Sequence, residues 1–371
     1  MLKPGTEAEL AEIVAAATKP LAVQGGGTKG MTPEGEPLTT AALSGINLYE
    51  PGALTVVAQA GTPVADVEAA LDAENQRLAF EPMDYRGLLQ TTGEPTIGGV
   101  VAANVSGPRR ISVGACRDFA LGVRYVDGAG QIIKNGGRVM KNVTGYDLVK
   151  LMSGSRGTLG VLTEVSLKVL PKPETEATVV LNAPKDAHAA VQAMSRALGS
   201  PYDVTGAAYR PTDADVAIRV EGFGDSVAYR ANQLREELKG FGDITVTDDA
   251  AASAKMWQEI RDVTRMHATS GDVWRVSVKP TDAPDIADRL EALDTLYDWG
   301  GGLIWALVPE GTDLRAKVGA FDGHATLVRA THDTRAALGM FEPEPAPVAA
   351  ITAGLRARFD PRGMLNAGLM G

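Results

Sequence analysis

The sequence predicts an α+β protein in two domains, and three observations carry that expectation. The chain has 371 residues, more than one core organises comfortably, because single cores rarely grow past roughly 250–300 residues. Its first half alternates short helices and strands with glycine-rich loops. Beyond Pro171-Lys172-Pro173 the pattern turns into a β-α-β-β-α-β order, the ferredoxin-like signature. The expected division is 1–172, 173–342, and a C-terminal helix and loop over 343–371.

The elements follow in order. Thr6 with Glu9 forms a capping box, and Leu10, Ile13, Val14 and Ala17 then make one apolar helical face, ended by Lys19-Pro20. Leu21-Ala22-Val23 is a short strand. Leu54 to Ala60 is a second, followed by a helix with Thr62 as N-cap and Pro63 at its first position, burying Val64, Val67 and Leu71. Leu78-Ala79-Phe80 is expected as the closing strand. Leu121–Val126 and Gln131–Lys134 flank the turn Asp127-Gly128-Ala129-Gly130 as a hairpin. Val161, Thr163, Val165, Leu167 and Val169 alternate with Glu164, Ser166 and Lys168, which predicts a strand with one wetter face.

In the second half, strands are predicted at Thr178–Leu181, 204–210, 215–221 and 243–247, with helices near 185–198 and 226–239. Further strands at Val273–Val278, Leu303–Val308 and Thr326–Ala330 extend the same sheet. Pro343-Glu344-Pro345-Ala346-Pro347 is a stiff linker to a last helix. No repeat of solenoid period is present.

Composition excludes several classes. A net charge of -10 lacks the basic excess of a nucleic-acid binder. No apolar run approaches the roughly 18 residues of a membrane span, and no signal peptide opens the chain, so a cytoplasmic address is expected. The single cysteine, Cys116, supports neither an internal disulfide nor a cysteine-held zinc or iron–sulfur cluster.

Four loops could carry chemistry. The first, Gln24-Gly25-Gly26-Gly27-Thr28-Lys29-Gly30, follows a buried strand, so its backbone amides can converge on an anion such as a pyrophosphate; a plain flexible turn is the alternative. The nucleoside-triphosphate motif G-x-x-x-x-G-K-[ST] is not present. Gly25-x-Gly27-x-x-Gly30 matches the dinucleotide fingerprint formally, but Met31-Thr32-Pro33 does not open the helix that fingerprint needs. The second, Glu94 to Gly107, is built of small residues, which suit either tight packing or a closely approaching ligand. Within it Thr96 caps a short helix whose amide end attracts phosphate. The third is Gly114-Ala115-Cys116-Arg117-Asp118, and the fourth runs from Gly145 to Glu164.

Taken in this order, the loops resemble the FAD-binding domain of the vanillyl-alcohol oxidase and p-cresol methylhydroxylase (PCMH) superfamily, which includes D-lactate, D-2-hydroxyglutarate and glycolate dehydrogenases. The stretch Gly137 to Asp147 and the short chain look like the E-type subunits of bacterial glycolate oxidases. The resemblance covers 1–172 and Phe359–Gly368, and it implies that the segment 343–371 returns to the first domain and places Asn366 near the flavin. It implies a PCMH-type domain of two α/β subdomains with a ferredoxin-like cap. Gln24, Gly25, Gly26, Gly27 and Thr28 would then hold the FAD pyrophosphate. Thr96, Ile97, Gly98, Gly99, Asn104, Ser106 and Gly107 would line the flavin and ribityl chain, with Gly114, Arg117 and Asp118 beside them. Gly157, Gly160 and Val161 would bracket the adenine end. Lys141, Tyr146 and Asn366 are the catalytic candidates, and Arg265, His267, Trp274 and Arg275 could contact substrate.

Two departures from that family matter. Many relatives tether the flavin through a histidine where this chain has Thr28-Lys29, so non-covalent FAD is expected, with Cys116 a buried structural thiol. The H-x-G-D-G-N-x-H metal segment is missing, and His188, His267, His324 and His332 show no ligand spacing, so no metal is expected. The resemblance implies an FAD subunit of a glycolate (D-2-hydroxy-acid) dehydrogenase complex, beside a larger FAD subunit and an iron–sulfur subunit. Any contact with the inner membrane would come through those partners. An accessory electron-relay or assembly subunit, or a stand-alone flavin oxidase of another alcohol, are the alternatives.

Overall fold

The computed structural model describes residues 1–31, 33–138 and 145–370. In the N-terminal half, β1 (Leu21–Gln24) and β2 (Glu36–Thr39) pair in parallel. The helix Glu7–Ala16 seals them with Leu10 and Val14, and Thr6 caps it by accepting a hydrogen bond from the Glu9 amide. β3 (Ile46–Glu50), β4 (Thr55–Gln59), β6 (Ala120–Val126), β7 (Ile132–Gly136) and β8 (Val161–Lys168) form an antiparallel five-stranded sheet in the order β3-β4-β8-β6-β7. Two-residue strands β5 (Gln76–Arg77) and β9 (Leu170–Pro171) make a separate ribbon.

Three local expectations need correction. Thr62 does not cap the helix Val64–Asp72; its hydroxyl donates to the Gln59 carbonyl and accepts from the Gly45 amide, and Pro63 takes the cap position. The strand expected at Leu78–Phe80 is displaced to β5, because those three residues turn inward to fill the core. β8 has no consistently wet face, since it is the central strand of its sheet and even Ser166 is buried.

The second half is a single eight-stranded sheet, the cap sheet. β10 (Thr175–Asn182), β11 (Val204–Arg210), β12 (Asp215–Gly222) and β13 (Asp243–Thr247), with helices Ala187–Leu198 and Gly224–Leu238, realise the predicted β-α-β-β-α-β unit in the spatial order β13-β10-β12-β11. β14 (Asp272–Val278), β15 (Asp294–Asp298), β16 (Leu303–Val308) and β17 (Gly323–Arg329) repeat that order as β17-β14-β16-β15. The further strands therefore extend the sheet as a second copy of the first unit. The copies join edge to edge where Tyr209 pairs with Tyr297, their rings 5.3 Å apart.

Strand alternation sends successive side chains to opposite faces. Trp274, Val276, Ile304, Ala306, Ala325 and Leu327 enter the core beneath the cap helices. Val273, Leu296, Leu303, Trp305 and Leu307 face the N-terminal half and share its core. A buried ion cluster clamps the same seam: Arg77, Glu81 and Arg109 from the N-terminal half meet Arg219 and Glu221 of β12. After the helix Ala346–Phe359, the chain returns to the start of the fold, where the Leu21 amide donates to the Met364 carbonyl. No helix among the described residues is long and apolar enough to cross a membrane.

Candidate functional site

The first glycine loop and the Thr96 segment form one cleft because glycine lets them touch. A Cβ on Gly26 would overlap the Glu94 carbonyl, one on Gly25 the Thr96 hydroxyl, and one on Gly98 would press on Ala60 of the turn after β4. Gly27 has φ +72°, a left-handed backbone that glycine adopts without strain. Thr96 caps the helix Ile97–Ala102 by accepting from the Gly99 amide. The cleft is walled mainly by backbone and small side chains, from Val23–Gly30 to Gly157, Gly160, Val161 and Leu162.

Two cations enter this wall. Lys29 lies against Gly99, and burial, with Arg156 nearby, pushes its ammonium down to about 8. Arg156 donates to the Met31 sulfur at 3.4 Å and stacks over Phe341, and burial lowers its pKa as well. Neither makes an ion pair among the described residues. A glycine-walled cleft with two cations that make no ion pair among the described residues fits an anionic dinucleotide such as FAD, whose charge would supply the counter-ions.

Lys29 and Arg156 also line a second cavity of about 510 Å³ between the two halves. Its roof is the cap sheet, where β-register sets Asp298 opposite Leu303, Leu303 opposite Ser277, and Ser277 opposite His324. In the next row, Arg275 stands between Trp305 and Thr326. Trp299 hangs from the turn after β15, and its indole N–H donates to the Gly107 carbonyl across the seam. The Arg110 and Arg275 guanidinium carbons lie 4.6 and 4.9 Å from the Trp299 ring centroid. Burial lowers both arginine pKa values, and Arg275 lowers that of Arg110 further; neither makes an ion pair among the described residues. Burial pushes the Asp298 carboxyl up to about 7 and lowers the His324 pKa.

The structure brings most of the expected residues together. Gln24, Gly25, Gly26, Gly27, Thr28, Thr96, Gly98, Gly99, Gly157, Gly160 and Val161 line the first cleft. Asn104, Ser106, Gly107 and Arg275 line the second cavity. Ile97 instead points into the core. Asp118 accepts from the Ala115 amide and the Arg117 amide donates to Asn104, so Gly114, Arg117 and Asp118 brace the loop that carries Asn104 rather than lining either space. Cys116 is buried, and burial pushes its thiol up, as a structural role requires.

The catalytic candidates fare differently. Tyr146 is 87% exposed and lines neither cavity. Asn366 accepts from the Val23 amide at 2.6 Å and donates to the Arg156 carbonyl at 2.8 Å, so its amide ties backbones together and leaves nothing for a reactant. Lys141 lies outside the described residues. Trp274 is core, Arg265 is paired with Asp213 and Asp294, and His267 bonds the Asp262 carbonyl against Gly87. His188 sits on the surface beside Asp285, and His332 begins an exposed helix turn. His324, expected to be structural or solvated, lines the cavity roof. Among the described residues no group of three His, Cys, Asp or Glu side chains could hold a metal ion. Sequence reasoning passed over Arg110, Arg156, Asp298 and Trp299; the Asp-Trp-Gly-Gly run was the available signal.

Residues 1–136 match the family model of an FAD binding domain. The chain is 36% identical over 358 residues to glycolate oxidase subunit GlcE of Escherichia coli, covering 95% of this chain and 92% of that one. It is 37% identical over 135 residues to a D-lactate dehydrogenase of Anaerostipes hadrus, covering 36% of this chain and 26% of that one. Among solved structures, an alkyldihydroxyacetonephosphate synthase superposes with a TM-score of 0.71 at 17% identity, covering 99% of this chain and 76% of that one, a likeness of fold.

Proposed function

Because the chain belongs to the PCMH-type family of FAD-binding oxidoreductases that includes glycolate oxidase subunit GlcE, we propose that it oxidises a small 2-hydroxy acid, with glycolate the first candidate, as one subunit of a complex. The observation that carries this reading is the meeting of two spaces. A glycine-walled cleft opens, past Lys29 and Arg156, into a cavity where Arg110 and Arg275 flank one indole.

Residues 24–28 would hold FAD non-covalently through backbone amides, with the small residues of 96–99 and 157–161 closing around it, their own amides at Ile97, Gly98, Gly99 and Thr158 being bonded within the chain. Bound FAD supplies a two-electron acceptor for a C–H bond next to a hydroxyl. The chain's own residues do the rest. Arg110 and Arg275 grip the substrate carboxylate, and Trp299 fixes their planes. Lys29 and Arg156 balance negative charge at the neck between the spaces. In this reading 1–172 with the returning 343–371 segment is the flavin domain, and 173–342 is the cap that closes over it. Electrons leave to an iron–sulfur partner, in keeping with the GlcE relative being named a subunit.

The test is to purify the chain, load it with FAD, and mix it anaerobically with glycolate and D-lactate. Loss of the flavin absorbance on mixing is the expected result. A chain that takes up FAD yet is reduced by neither acid, alone or with co-purified subunits, would overturn the substrate reading. Failure to take up FAD at all would overturn the site.

A further inference from the structure

The turn Asp298-Trp299-Gly300-Gly301 is the most unusual backbone in the cavity. Trp299, Gly300 and Gly301 have φ +55°, +66° and +99° in succession. For a tryptophan this left-handed geometry is strained, and such strain persists where surrounding contacts fix it. Here the Gly107 carbonyl and the two guanidinium groups fix it. The turn thereby holds the end of β15 at the cavity wall, with Asp298 only 4% exposed.

One oxygen of Asp298 accepts from the Trp299 amide at 2.6 Å. The other takes no hydrogen bond among the described residues, although Asp298 lines the cavity. The charged groups acting on it are Glu81 and Arg219 of the ion cluster and Arg275 of β14. Arg110 stands on Trp299, and His324 lies three strands away in the same row.

We propose that Asp298 is the proton acceptor for the substrate hydroxyl. This rests on the hydroxy-acid reading above. With the carboxylate on Arg110 and Arg275, the α-hydroxyl points along the roof toward the open Asp298 oxygen. The O–H bond breaks and its proton goes to that oxygen. The C–H hydrogen would leave with its electron pair, as hydride, to the FAD that the cleft would hold, and C–O becomes C=O, giving the 2-oxo acid. The proton returns to water when product leaves. A carboxyl that titrates near neutrality is matched to such a task.

The experiment uses the FAD-loaded chain, with any subunits that co-purify, as wild type, Asp298→Asn and Asp298→Glu. Oxalate, a non-oxidisable two-carbon anion, is titrated by calorimetry at pH 7 in two buffers of different ionisation enthalpy. Wild type should take up a proton on binding, because an anion placed beside Asp298 favours its acid form, and Asp298→Asn should bind without uptake. Flavin reduction by glycolate should slow roughly 100- to 10,000-fold in Asp298→Asn. It should lose its inflection near pH 7 and recover in part in Asp298→Glu. Oxalate binding in the Asn variant shows that the cavity is intact. Proton-free binding to wild type, or an unchanged rate and pH profile in Asp298→Asn, overturns the assignment while leaving the substrate reading standing. A wild type that binds FAD but no oxalate overturns both.

Discussion

Replacing Glu221 by Gln should loosen the seam between the two halves. Glu221 is buried on β12 and takes hydrogen bonds from Arg77 at 2.6 Å and from Arg109 at 2.8 Å on each oxygen, with Arg219 at 3.7 Å. Those contacts hold its carboxyl well below the usual range despite burial. The cluster sets three guanidinium groups against Glu81 and Glu221; Glu221→Gln leaves three against one. Breaking a buried pair by removing one partner costs about 3–5 kcal/mol, mostly the penalty of stranded charge. With unfolding entropy near 2.1 cal/mol/K per residue, this chain loses about 0.8 kcal/mol per degree, so the melting temperature should fall by roughly 4–6 °C. The carboxyl is depressed in the folded state, so its contribution is full above its unfolded pKa, near 4.5, and fades as pH falls below it. The difference between wild type and variant should therefore be complete at pH 7. Thermal melting by circular dichroism measures it, and limited proteolysis reports whether the cap loosens first. A melting temperature within a degree of wild type would refute the claim that this cluster locks the seam.

Other substitutions separate roles within the site. Gly26→Ala forces the first loop off the Glu94 carbonyl, an overpacking cost of about 1–3 kcal/mol. Flavin fluorescence titration should read it as a roughly 5- to 100-fold weaker FAD affinity. Lys29→Met should stabilise the FAD-free chain at pH 7. The ammonium's folded pKa of about 8 lies below its ordinary 10.5, so wild-type stability rises from pH 8 upward and the gap closes there; melts on either side of pH 8 check this. Asn366→Ala strands the Val23 amide and the Arg156 carbonyl, each worth about 1–3 kcal/mol. It should lower the melting temperature while leaving the pH profile of flavin reduction in place, the mark of a tie rather than a catalyst.

What the sequence made legible depended on local pattern. The strands from Thr175 to Thr247 were placed within a few residues, because each alternates apolar residues between clear turn signals. β15 escaped, since Asp294-Thr-Leu-Tyr-Asp298 is short and ends in acids. Without it, the second β-α-β-β-α-β unit could not be counted. The glycine loops were readable because close approach of backbone demands glycine in the sequence itself. Arg110, Arg275 and Asp298 are separated by long stretches and meet only through tertiary structure, so no spacing links them. Asn366 was expected at the flavin and does lie beside the Arg156 loop, but its amide is consumed by backbone.

The tandem cap explains why the cavity lies where it does. Both units present one sheet face to the N-terminal half, and both place charge on it. In the first unit, Arg219 and Glu221 are matched by Glu81, Arg77 and Arg109, which turns the contact into a lock. In the second, Arg275 meets Arg110 across Trp299, and burial raises the acid in the cluster, Asp298, to about 7, so that a partly ionised carboxyl faces two cations. A seam left with unmatched positive charge cannot close on itself, because desolvating those cations without counter-ions is costly. The cavity beside Arg110 and Arg275 is where that cost is avoided. The same topology thus yields a clamp on one side and a cavity on the other, and the difference lies in which charges find partners within the chain.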